Sequence, residues 1–343
     1  MFSPGARRAP LAPVLIGTAA ALAVACALAA ASGGLAIPPG RILLQLVPFP
    51  DLAHAQLSPR EFAVLTQIRL PRIVLALCVG AAISAAGAAL QGIFRNPLAD
   101  PGLIGVSGGA ALAAAAAILV GASGAFVLPI AAFSGGTVAT GAVFLLARRG
   151  GVVSVQGMLL AGIAVNALSG AGIGLFSYVS NDIQLRQLTF WTLGSLGGAT
   201  WSQVVPAGVL MILAIGGLLI RATSMDIFVL GENEAFTLGL SPVRFTVEVV
   251  LLAALAVGAA VAVAGPIAFL GLIVPHIARM LLGPSHPRLM PASLLFGALG
   301  LVCADTLART LAMPAEIPVG LLLSLGGAPF FLWLLRRTGP IGG

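Results

Sequence analysis

The sequence predicts an all-α, polytopic membrane protein of about ten transmembrane helices. Three observations carry this prediction. Hydrophobic residues make up 59% of the 343 residues and charged residues only 8%, whereas about a quarter of a soluble domain is charged. Apolar stretches long enough to cross a ~30 Å hydrocarbon core recur along the chain. All seventeen basic residues are arginine, placed singly or in pairs between those stretches. Residues 1–343 are therefore expected to form a single transmembrane domain, with the lipid bilayer as its solvent.

Ten spans follow in chain order. The first has an arginine flank and an Ala-rich end like a secretory signal, but it is longer than the 7–15 apolar residues of a signal h-region. This favours a retained anchor helix, with a cleaved signal as the alternative. The eighth span is the shortest. The predicted spans are Leu11–Ala31, Ile73–Phe94, Leu103–Val120, Ala125–Ala147, Val152–Val179, Val204–Ile220, Phe245–Ala264, Ile267–Leu282, Ala292–Leu311 and Ile317–Leu335.

The arginine distribution predicts that both termini are cytoplasmic. With the N-terminus inside, eleven arginines lie in cytoplasmic segments and six outside. Cytoplasmic loops of membrane proteins carry such an excess of basic residues. Topology also explains the net charge of +7, so no nucleic-acid partner is expected.

Two residue types limit the chemistry of the chain. It contains no lysine, so it cannot form the Gly-Lys-Ser/Thr loop that holds the phosphates of ATP. Cys26, Cys78 and Cys303 lie in apolar runs without a Cys-x-x-Cys spacing, which argues against a disulfide framework. His276 and the other histidines show no spacing typical of metal ligands. We expect no metal site, and ATP hydrolysis of that type would belong to a partner.

Two loops share a pattern. Residues 96–104 and 265–273 have Pro, Ala, Gly, Leu and Ile at identical offsets, and each follows a long span. In the predicted topology they lie on opposite sides of the membrane, so spans two to five and seven to ten would form inverted repeats. Many transporters are built in this way. A chance match in a chain rich in Leu, Ala and Gly is the alternative.

The segment 230–242 is the most informative cytoplasmic loop. Glu232 and Glu234 are placed where carboxylates stabilise the start of a helix, while Gly239 and Pro242 mark its end. A short helix outside the bilayer could bind in a groove of a partner. From the residues alone, an ordinary interfacial connector explains the pattern equally well.

Five stretches between Gln67 and Leu335 form a highly specific set. They are Ile68–Arg72, Gln91–Gly102, Leu185–Leu188, Gly271–Arg279, and Gly-Glu-x-x-Ala-x-x-Leu-Gly from Gly231 to Gly239. With these stretches the chain resembles the FecCD permease family, which serves vitamin B12, ferric siderophores and heme. The resemblance implies a type II ABC importer fold in the bacterial inner (cytoplasmic) membrane.

The resemblance also implies the partners. A second copy of the chain would complete a homodimer, two cytoplasmic ATPase subunits would bind ATP and Mg, and a periplasmic substrate-binding protein would dock on the outer face. The chain itself would be neither an enzyme nor a cofactor carrier. By resemblance, the residues that couple it to the ATPase are Gly231, Glu232, Glu234, Ala235, Leu238 and Gly239.

Three outer arginines are implied as docking residues for the binding protein: Arg69, Arg72 and Arg309. Guanidinium groups bind carboxylates bidentately and could orient a docked partner. Other interpretations remain open. Asp305 and Arg309 have the i, i+4 spacing of a local ion pair, and Arg69 and Arg72 could be interfacial anchors.

The cargo pathway is expected near span five. Arg186 could bind an anionic cargo beside its symmetry-related copy, or pair locally with Asp182, four residues earlier. Polar groups in lipid need partners, so hydrogen bonds between helices are the default for the remaining pathway candidates. These are Asn166, Ser169, Ser177 and Tyr178.

Heme is the first choice of cargo, because residues 181–198 resemble the heme and siderophore permeases more than the B12 ones. Gln187 stands where an acid is common in heme permeases, which keeps a ferric siderophore close behind, with vitamin B12 third. The alternative class is a proton-coupled secondary transporter. That class predicts a relay of membrane carboxylates, but Glu248 is the only acid well inside a span, besides Asp305 near a span end.

Overall fold

The structure, a computed structural model, describes residues 9–45, 57–149 and 152–338. Within these residues the chain is almost entirely helical, apart from a π-helical turn (Leu65–Arg69), a 3₁₀ turn (Pro101–Ile104) and two paired strands of two residues each, β1 (Arg148–Arg149) and β2 (Val152–Val153). The helices are α1 (Leu11–Ala31), α2 (Pro39–Gln45), α3 (Pro59–Val64), α4 (Leu70–Ile93), α5 (Val106–Leu119), α6 (Val127–Ala147), α7 (Val155–Val179), α8 (Asp182–Thr192), α9 (Trp201–Ile220), α10 (Ala222–Leu230), α11 (Glu232–Thr237), α12 (Pro242–Ala264), α13 (Leu270–Leu282), α14 (His286–Thr310) and α15 (Val319–Thr338).

Each of the ten predicted spans coincides with a helix. Seven helices of the described residues are long and apolar enough to cross a membrane by length and composition, namely α1, α4 with its α3 extension, α6, α7, α9, α12 and α14. The other three spans coincide with shorter apolar helices in α5, α13 and α15. The prediction of an all-α, multi-pass membrane protein is confirmed.

Several span boundaries differ from the sequence prediction, for local reasons. The eighth span begins at Leu270 rather than Ile267, because Gly265 and Phe269 have φ angles of 68° and 65° that interrupt the helix. The fifth begins at Val155 because Val152–Val153 pair with the preceding arginines in a small hairpin. Helix α8 was not predicted at all.

Helix α4 lies at the centre of the packing. Its glycines meet the backbones of neighbouring helices: a Cβ at Gly80 would overlap the carbonyl of Gly297 in α14, and one at Gly87 would overlap that of Gly271 in α13. Such close contact is how small residues hold helices together in lipid, where hydrophobic burial between helices gives little. Helices α4, α13 and α14 therefore form a tightly packed unit.

The ends of the helices cluster at two opposite ends of the bundle. At the end that we call the coupling end, the C-terminus of α4, the N-terminus of α14 and the short helices α10 and α11 lie together. At the opposite end, the start of α4 contacts the end of α14 through Arg72 and Asp305. In the predicted topology, the C-terminus of α4, the N-terminus of α14 and the segment 230–242 also lie on one side of the membrane. Which end faces the cytoplasm stays a prediction, and Arg7 and Arg8 lie outside the described residues.

The two halves of the proposed repeat pack against each other. If α4 to α7 correspond to α12 to α15, the first helix of each half contacts the third helix of the other: α4 packs on α14, and α12 packs on α6. The two repeated loops meet, since a Cβ at Gly271 would lie 2.8 Å from Pro101. Two related halves would produce such an arrangement, and both the repeat and its inversion across the membrane stay predictions.

Candidate functional site

A cavity of about 830 Å³ opens at the end opposite the coupling segment. Helix α8, the loop between α5 and α6, and the end of α12 form its walls. Helix α8 starts with a capping box, in which Asn181 and Gln184 exchange side-chain to backbone hydrogen bonds. The Gln184 Nε2 also donates to the Leu119 carbonyl at 2.8 Å, which fixes α8 to the end of α5.

Arg186 lines this cavity and is exposed. Within the described residues its guanidinium forms no ion pair, and the local pair with Asp182 is absent. The alternative of structural pairing is therefore wrong. Asp182 instead lies in the first turn of α8, where a carboxylate complements the positive end of the helix dipole.

The other four pathway candidates belong to α7 and do not line the cavity. Asn166 Nδ2 donates to the Gly102 carbonyl at 2.9 Å, and Ser177 Oγ donates to the Ile173 carbonyl of its own helix at 2.9 Å. Ser169 is buried, whereas Tyr178 is 87% exposed. The structure thus brings Arg186 to the cavity without these residues, and their contact with cargo stays a prediction.

Several cavity residues escaped the sequence analysis. Asn181, Gln184, Phe190 and Trp191 all line the cavity. The Asn-x-x-Gln spacing from Asn181 is a capping-box signal that could have revealed α8 and its inward-facing residues. No local signal indicates that this helix covers the end of α5.

A smaller, almost wholly apolar cavity of about 240 Å³ adjoins the first one. It lies between α6, α9 and α12, with Phe126, Ile130, Phe133 and Leu210 in its wall. Four residues line both cavities: Pro129, Gln203, Ala262 and Val263. The cavity that contains Arg186 and other polar side chains thus adjoins an almost wholly apolar one.

The predicted short helix at the coupling end is present as α11. Gly231, with a φ of 146°, separates it from α10. At its other end the Leu240 N–H donates to the Ala235 carbonyl at 2.9 Å, and Gly239 has a φ of 86°, which is the Schellman arrangement of a helix C-terminus. Glycine suits both positions because it lacks the Cβ that disfavours positive φ.

Helix α11 presents an apolar surface. Ala235 is fully buried against the bundle, whereas Phe236 and Leu238 are 71% and 61% exposed. Glu232 and Glu234 are exposed in the first turn. An exposed aromatic side chain beside carboxylates is suited to a protein partner, and the coupling role of this segment stays a prediction.

The three predicted docking arginines are buried, with exposures of 4% for Arg69, 6% for Arg72 and 8% for Arg309. Arg72 donates from Nε and Nη2 to the carboxylate of Asp305, and its Nη1 lies 2.9 Å from Glu316 Oε2. The suggested local pair between Asp305 and Arg309 is wrong, because Asp305 pairs with Arg72 whereas the Arg309 guanidinium bonds backbone carbonyls.

Arg69 and Arg309 instead cap the C-terminus of α1. Arg69 Nη1 donates to the Ala31 carbonyl and Arg309 Nη1 donates to the Ser32 carbonyl, both at 3.1 Å. The last carbonyls of a helix lack partners within the helix, and arginine side chains can bond them. Docking by these arginines stays a prediction. A partner carboxylate would have to displace contacts that the chain makes with itself.

The loop that follows α4 is held by its own side chains. Asp100 accepts a hydrogen bond from the Gly102 N–H at 2.7 Å, and Asn96 Oδ1 accepts one from the Leu98 N–H at 2.9 Å. Burial raises the pKa of the Asp100 carboxyl, and the Gly102 N–H partly offsets that rise. This loop positions the Gly102 carbonyl for Asn166 and so fixes α7 to α5.

The described residues contain no group of three or more His, Cys, Asp or Glu side chains that could hold a metal ion. His276 lies in α13, and His54 is outside the described residues. The acid expected inside a span, Glu248, is 45% exposed and pairs with Arg221 at 2.9 Å.

Comparisons with known proteins agree on one family. The FecCD transport family matches residues 12–337. The chain is 45% identical to the hemin transport system permease protein HmuU of Yersinia pestis, over 84% of this chain and 88% of that protein. It is 41% identical to the cobalamin import system permease protein BtuC of Halobacterium salinarum, over 84% and 80% of the two chains.

A third relative is the Fe(3+) dicitrate transport system permease protein FecD of Escherichia coli, 41% identical over 91% of this chain and 95% of that protein. A solved structure described as an inward-facing conformation of a metal-chelate type ABC transporter matches with a TM-score of 0.83 at 33% identity, covering 95% of this chain and 99% of that one. A helical bundle of this shape, matched almost end to end in sequence, places the chain in the FecCD transport family.

Proposed function

We propose that this chain is the permease subunit of an ABC importer that carries an iron chelate, with heme as the first choice, across the bacterial inner membrane by ATP-driven alternating access. The coarser statement, a permease of the type that imports metal chelates, heme, siderophores or vitamin B12, follows from the family itself. The cargo, the membrane and the partners are the proposed part.

The observation that carries the cargo proposal is the Arg186 guanidinium in the 830 Å³ cavity, which has no acceptor among the described residues. Such an arginine favours a ligand with carboxylates, which it can bind bidentately. Phe190 and Trp191 line the same space, and the adjoining apolar cavity lies beside it. A flat apolar ring system with carboxylates at its edge, such as heme, matches both features.

A ferric siderophore is the first alternative and vitamin B12 the second. Gln187 beside Arg186 adds a neutral hydrogen-bonding group that suits the oxygen-rich surface of a siderophore. Relatives include hemin, cobalamin and ferric citrate permeases at similar identity. The aromatic and apolar lining is what places heme first.

The proposed assembly supplies the energy from outside the chain. Two ATPase subunits, which bind ATP and Mg, would dock on the exposed α11 surface containing Phe236 and Leu238. A second copy of the chain would form a homodimer, and a periplasmic binding protein would deliver cargo to the end that bears the cavity. Both termini would then be cytoplasmic.

Proton-coupled secondary transport is not favoured. It requires a relay of membrane carboxylates, whereas Asp305 is bound by Arg72 and Glu248 by Arg221. Among the described residues these were the two acids expected in spans, and each is engaged by an arginine.

Uptake by the permease, reconstituted in liposomes with its ATPase and binding protein, tests the proposal. We expect ATP-dependent uptake of hemin to exceed that of a ferric siderophore and of cobalamin. The Arg186→Gln variant should lower hemin uptake about tenfold through a higher KM, since a charged hydrogen bond is worth ~1.5–3 kcal/mol, and Arg186→Lys should restore part of it. Uptake of cobalamin alone would overturn the cargo choice, and equal uptake by Arg186→Gln would remove Arg186 from the pathway.

The coupling proposal has a separate test. Phe236→Ser should weaken co-purification of the ATPase with the permease, because it removes an exposed aromatic anchor of α11. Tyr178→Ser, which removes an even more exposed aromatic side chain from α7, is the matched control and should leave co-purification intact. Cargo transport that persists in the absence of any ATPase would favour the secondary-transport class instead.

A further inference from the structure

Helix α10 is the element that leads directly into the coupling segment. It ends at Leu230, and only Gly231 separates it from α11. Its inner face is buried, with Ala222, Met225 and Phe228 packed into the bundle against α4 and α14. Neither this helix nor its polar contacts stood out in the sequence.

One contact joins α10 to the start of α14. Asp226 Oδ2 accepts a hydrogen bond from Ser285 Oγ at 2.8 Å, and Oδ1 accepts one from the His286 backbone N–H at 2.8 Å. Ser285 is the residue before α14 and its side chain makes no capping bond to α14 itself. The Asp226 carboxylate therefore acts as the anion at the positive end of α14, although it belongs to a different helix.

The same carboxylate holds the His286 ring. Asp226 Oδ1 lies 2.6 Å from His286 Nδ1, and an acceptor-only carboxylate requires that Nδ1 carry the proton. The ring is buried and lies against α4, because a Cβ at Gly92 would be 2.5 Å from His286 Nε2. His286 is thus wedged between α10 and α4 at the root of α14.

A second contact joins α10 to the end of α4. Arg95 lies two residues beyond the last residue of α4 and adopts a φ of 49°, a left-handed conformation that few residues other than glycine take. Its Nη2 donates to the Phe228 carbonyl in the last turn of α10 at 3.1 Å, and its guanidinium carbon lies 5.2 Å from the centre of the Phe228 ring. The unusual backbone directs this side chain onto α10.

The two helices that hold α10 are themselves joined without a gap. A Cβ at Gly80 of α4 would overlap the Gly297 carbonyl of α14, and one at Gly297 would overlap Ser84 of α4. Helices in backbone contact cannot slide past one another without losing that packing. A displacement applied to α10 therefore acts on α4 and α14 together.

We propose that α10, α4 and α14 move as one rigid body, and that Asp226 and Arg95 are the positioning residues through which motion of the coupling segment reaches the membrane helices. This inference rests on the proposed function, because it assigns the route by which ATPase motion would open and close the pathway. The inference names the membrane helices that would move with the coupling segment, whereas the family resemblance names only the coupling segment. Rigid-body motion of packed elements is a common form of such switching.

A reversible cross-link tests this proposal. In a parent lacking Cys26, Cys78 and Cys303, each replaced by alanine, Asp226→Cys and Ser285→Cys are introduced together and joined by a short bifunctional thiol reagent that a reductant can cleave. We expect ATP-dependent uptake by the joined permease to equal or exceed that of the same variant after reduction, because the link replaces the connection that Asp226 made and a link inside a rigid body restricts no motion. A large loss on joining, restored by the reductant, would show that α10 moves against α14 and would overturn the proposal.

A second pair of variants decides the matter should the cysteine variant not fold. Asp226→Asn and Arg95→Gln keep the size of each side chain but weaken its contacts. Cargo imported per ATP hydrolysed should fall severalfold while ATPase co-purification is unchanged. Arg288→Gln is the matched control, since Arg288 is exposed beside the same contact and makes no ion pair within the described residues. A wild-type coupling ratio in both test variants would refute the route. Failure of the proposed function is distinct, because the parent itself would then import nothing.

Discussion

Helices α4 and α7 are both long and apolar, but they differ in how much of each helix is buried within the subunit. In the most apolar stretch of the helix that contains α4, 78% of the residues are buried within the subunit, against 11% for α7. The glycines of α4 contact the backbones of α13 and α14. In α7, Gly162 meets the Leu103 backbone, but Gly170 and Gly174, nearer the C-terminus, have nothing within 4 Å. Helix α4 is therefore packed mainly within its own subunit, whereas the C-terminal part of α7 is left for lipid or a second subunit.

The same contrast applies to the arginines near these two helices. Arg72, next to the start of α4's apolar stretch, is fully used in binding Asp305 and Glu316. Arg186, in the helix that follows α7, lines a cavity and has no acceptor among the residues that the structure describes. Polar groups within the α4 unit hold helices together, whereas a role of Arg186 in binding cargo stays a prediction.

Breaking the buried ion pair should have the largest effect. Asp305→Ala leaves Arg72 without its carboxylate inside the protein, and removing one partner of a buried pair costs about 3–5 kcal/mol. The thermal unfolding midpoint in detergent should fall sharply. Glu248→Ala is the control, because both partners of the Arg221 pair are more than 40% exposed and solvent screening limits such a pair to about 0–1 kcal/mol. Equal shifts of the unfolding midpoint in the two variants would contradict the difference between the buried and the exposed ion pair.

Adding a methyl group should have an intermediate effect that differs between the two helices. Gly87→Ala places a Cβ onto the Gly271 carbonyl, and overpacking of this kind costs about 1–3 kcal/mol. Gly174→Ala places one in open space and should leave the unfolding midpoint unchanged or slightly raised. The measurement is thermal unfolding of both variants under identical conditions.

A destabilised Gly174→Ala with a normal Gly87→Ala would reverse the comparison. Altered dimerisation of Gly174→Ala without a change in subunit unfolding would instead strengthen the comparison of α4 with α7, because that result would place a second copy against α7.

The smallest effect is expected at the link between α7 and the loop after α4. Asn166→Ala removes the donor to the Gly102 carbonyl, and a lost hydrogen bond of this kind costs about 1 kcal/mol. Because few residues of α7 are buried within the subunit, local hydrogen exchange of α7 should rise more than global stability falls. Ser177→Ala, whose hydroxyl bonds only to its own helix, should leave exchange nearly unchanged. Equal exchange in the two variants would mean that Asn166 does not anchor α7.

The sequence predicted what depends on neighbours along the chain. The ten spans follow from the length of apolar stretches, and α11 follows from two glutamates, Gly239 and Pro242. The boundaries at Val155 and Leu270 were misjudged because a hairpin and two left-handed residues interrupt apolar runs that look continuous. Helix α8 was missed although its Asn181 to Gln184 capping box was present in the sequence.

The sequence by itself thus determined that this protein is a bundle of about ten membrane helices with a small helix at one end, since hydrophobicity and turn residues act locally. Only the tertiary structure decided the use of its polar groups: Arg72 bonds a carboxylate 233 residues away, Arg309 caps a helix 277 residues away, and Asp226 serves a helix start 60 residues away. Spacing cannot reveal such partners, because in lipid a polar group pairs with whatever group the packing of helices brings within reach.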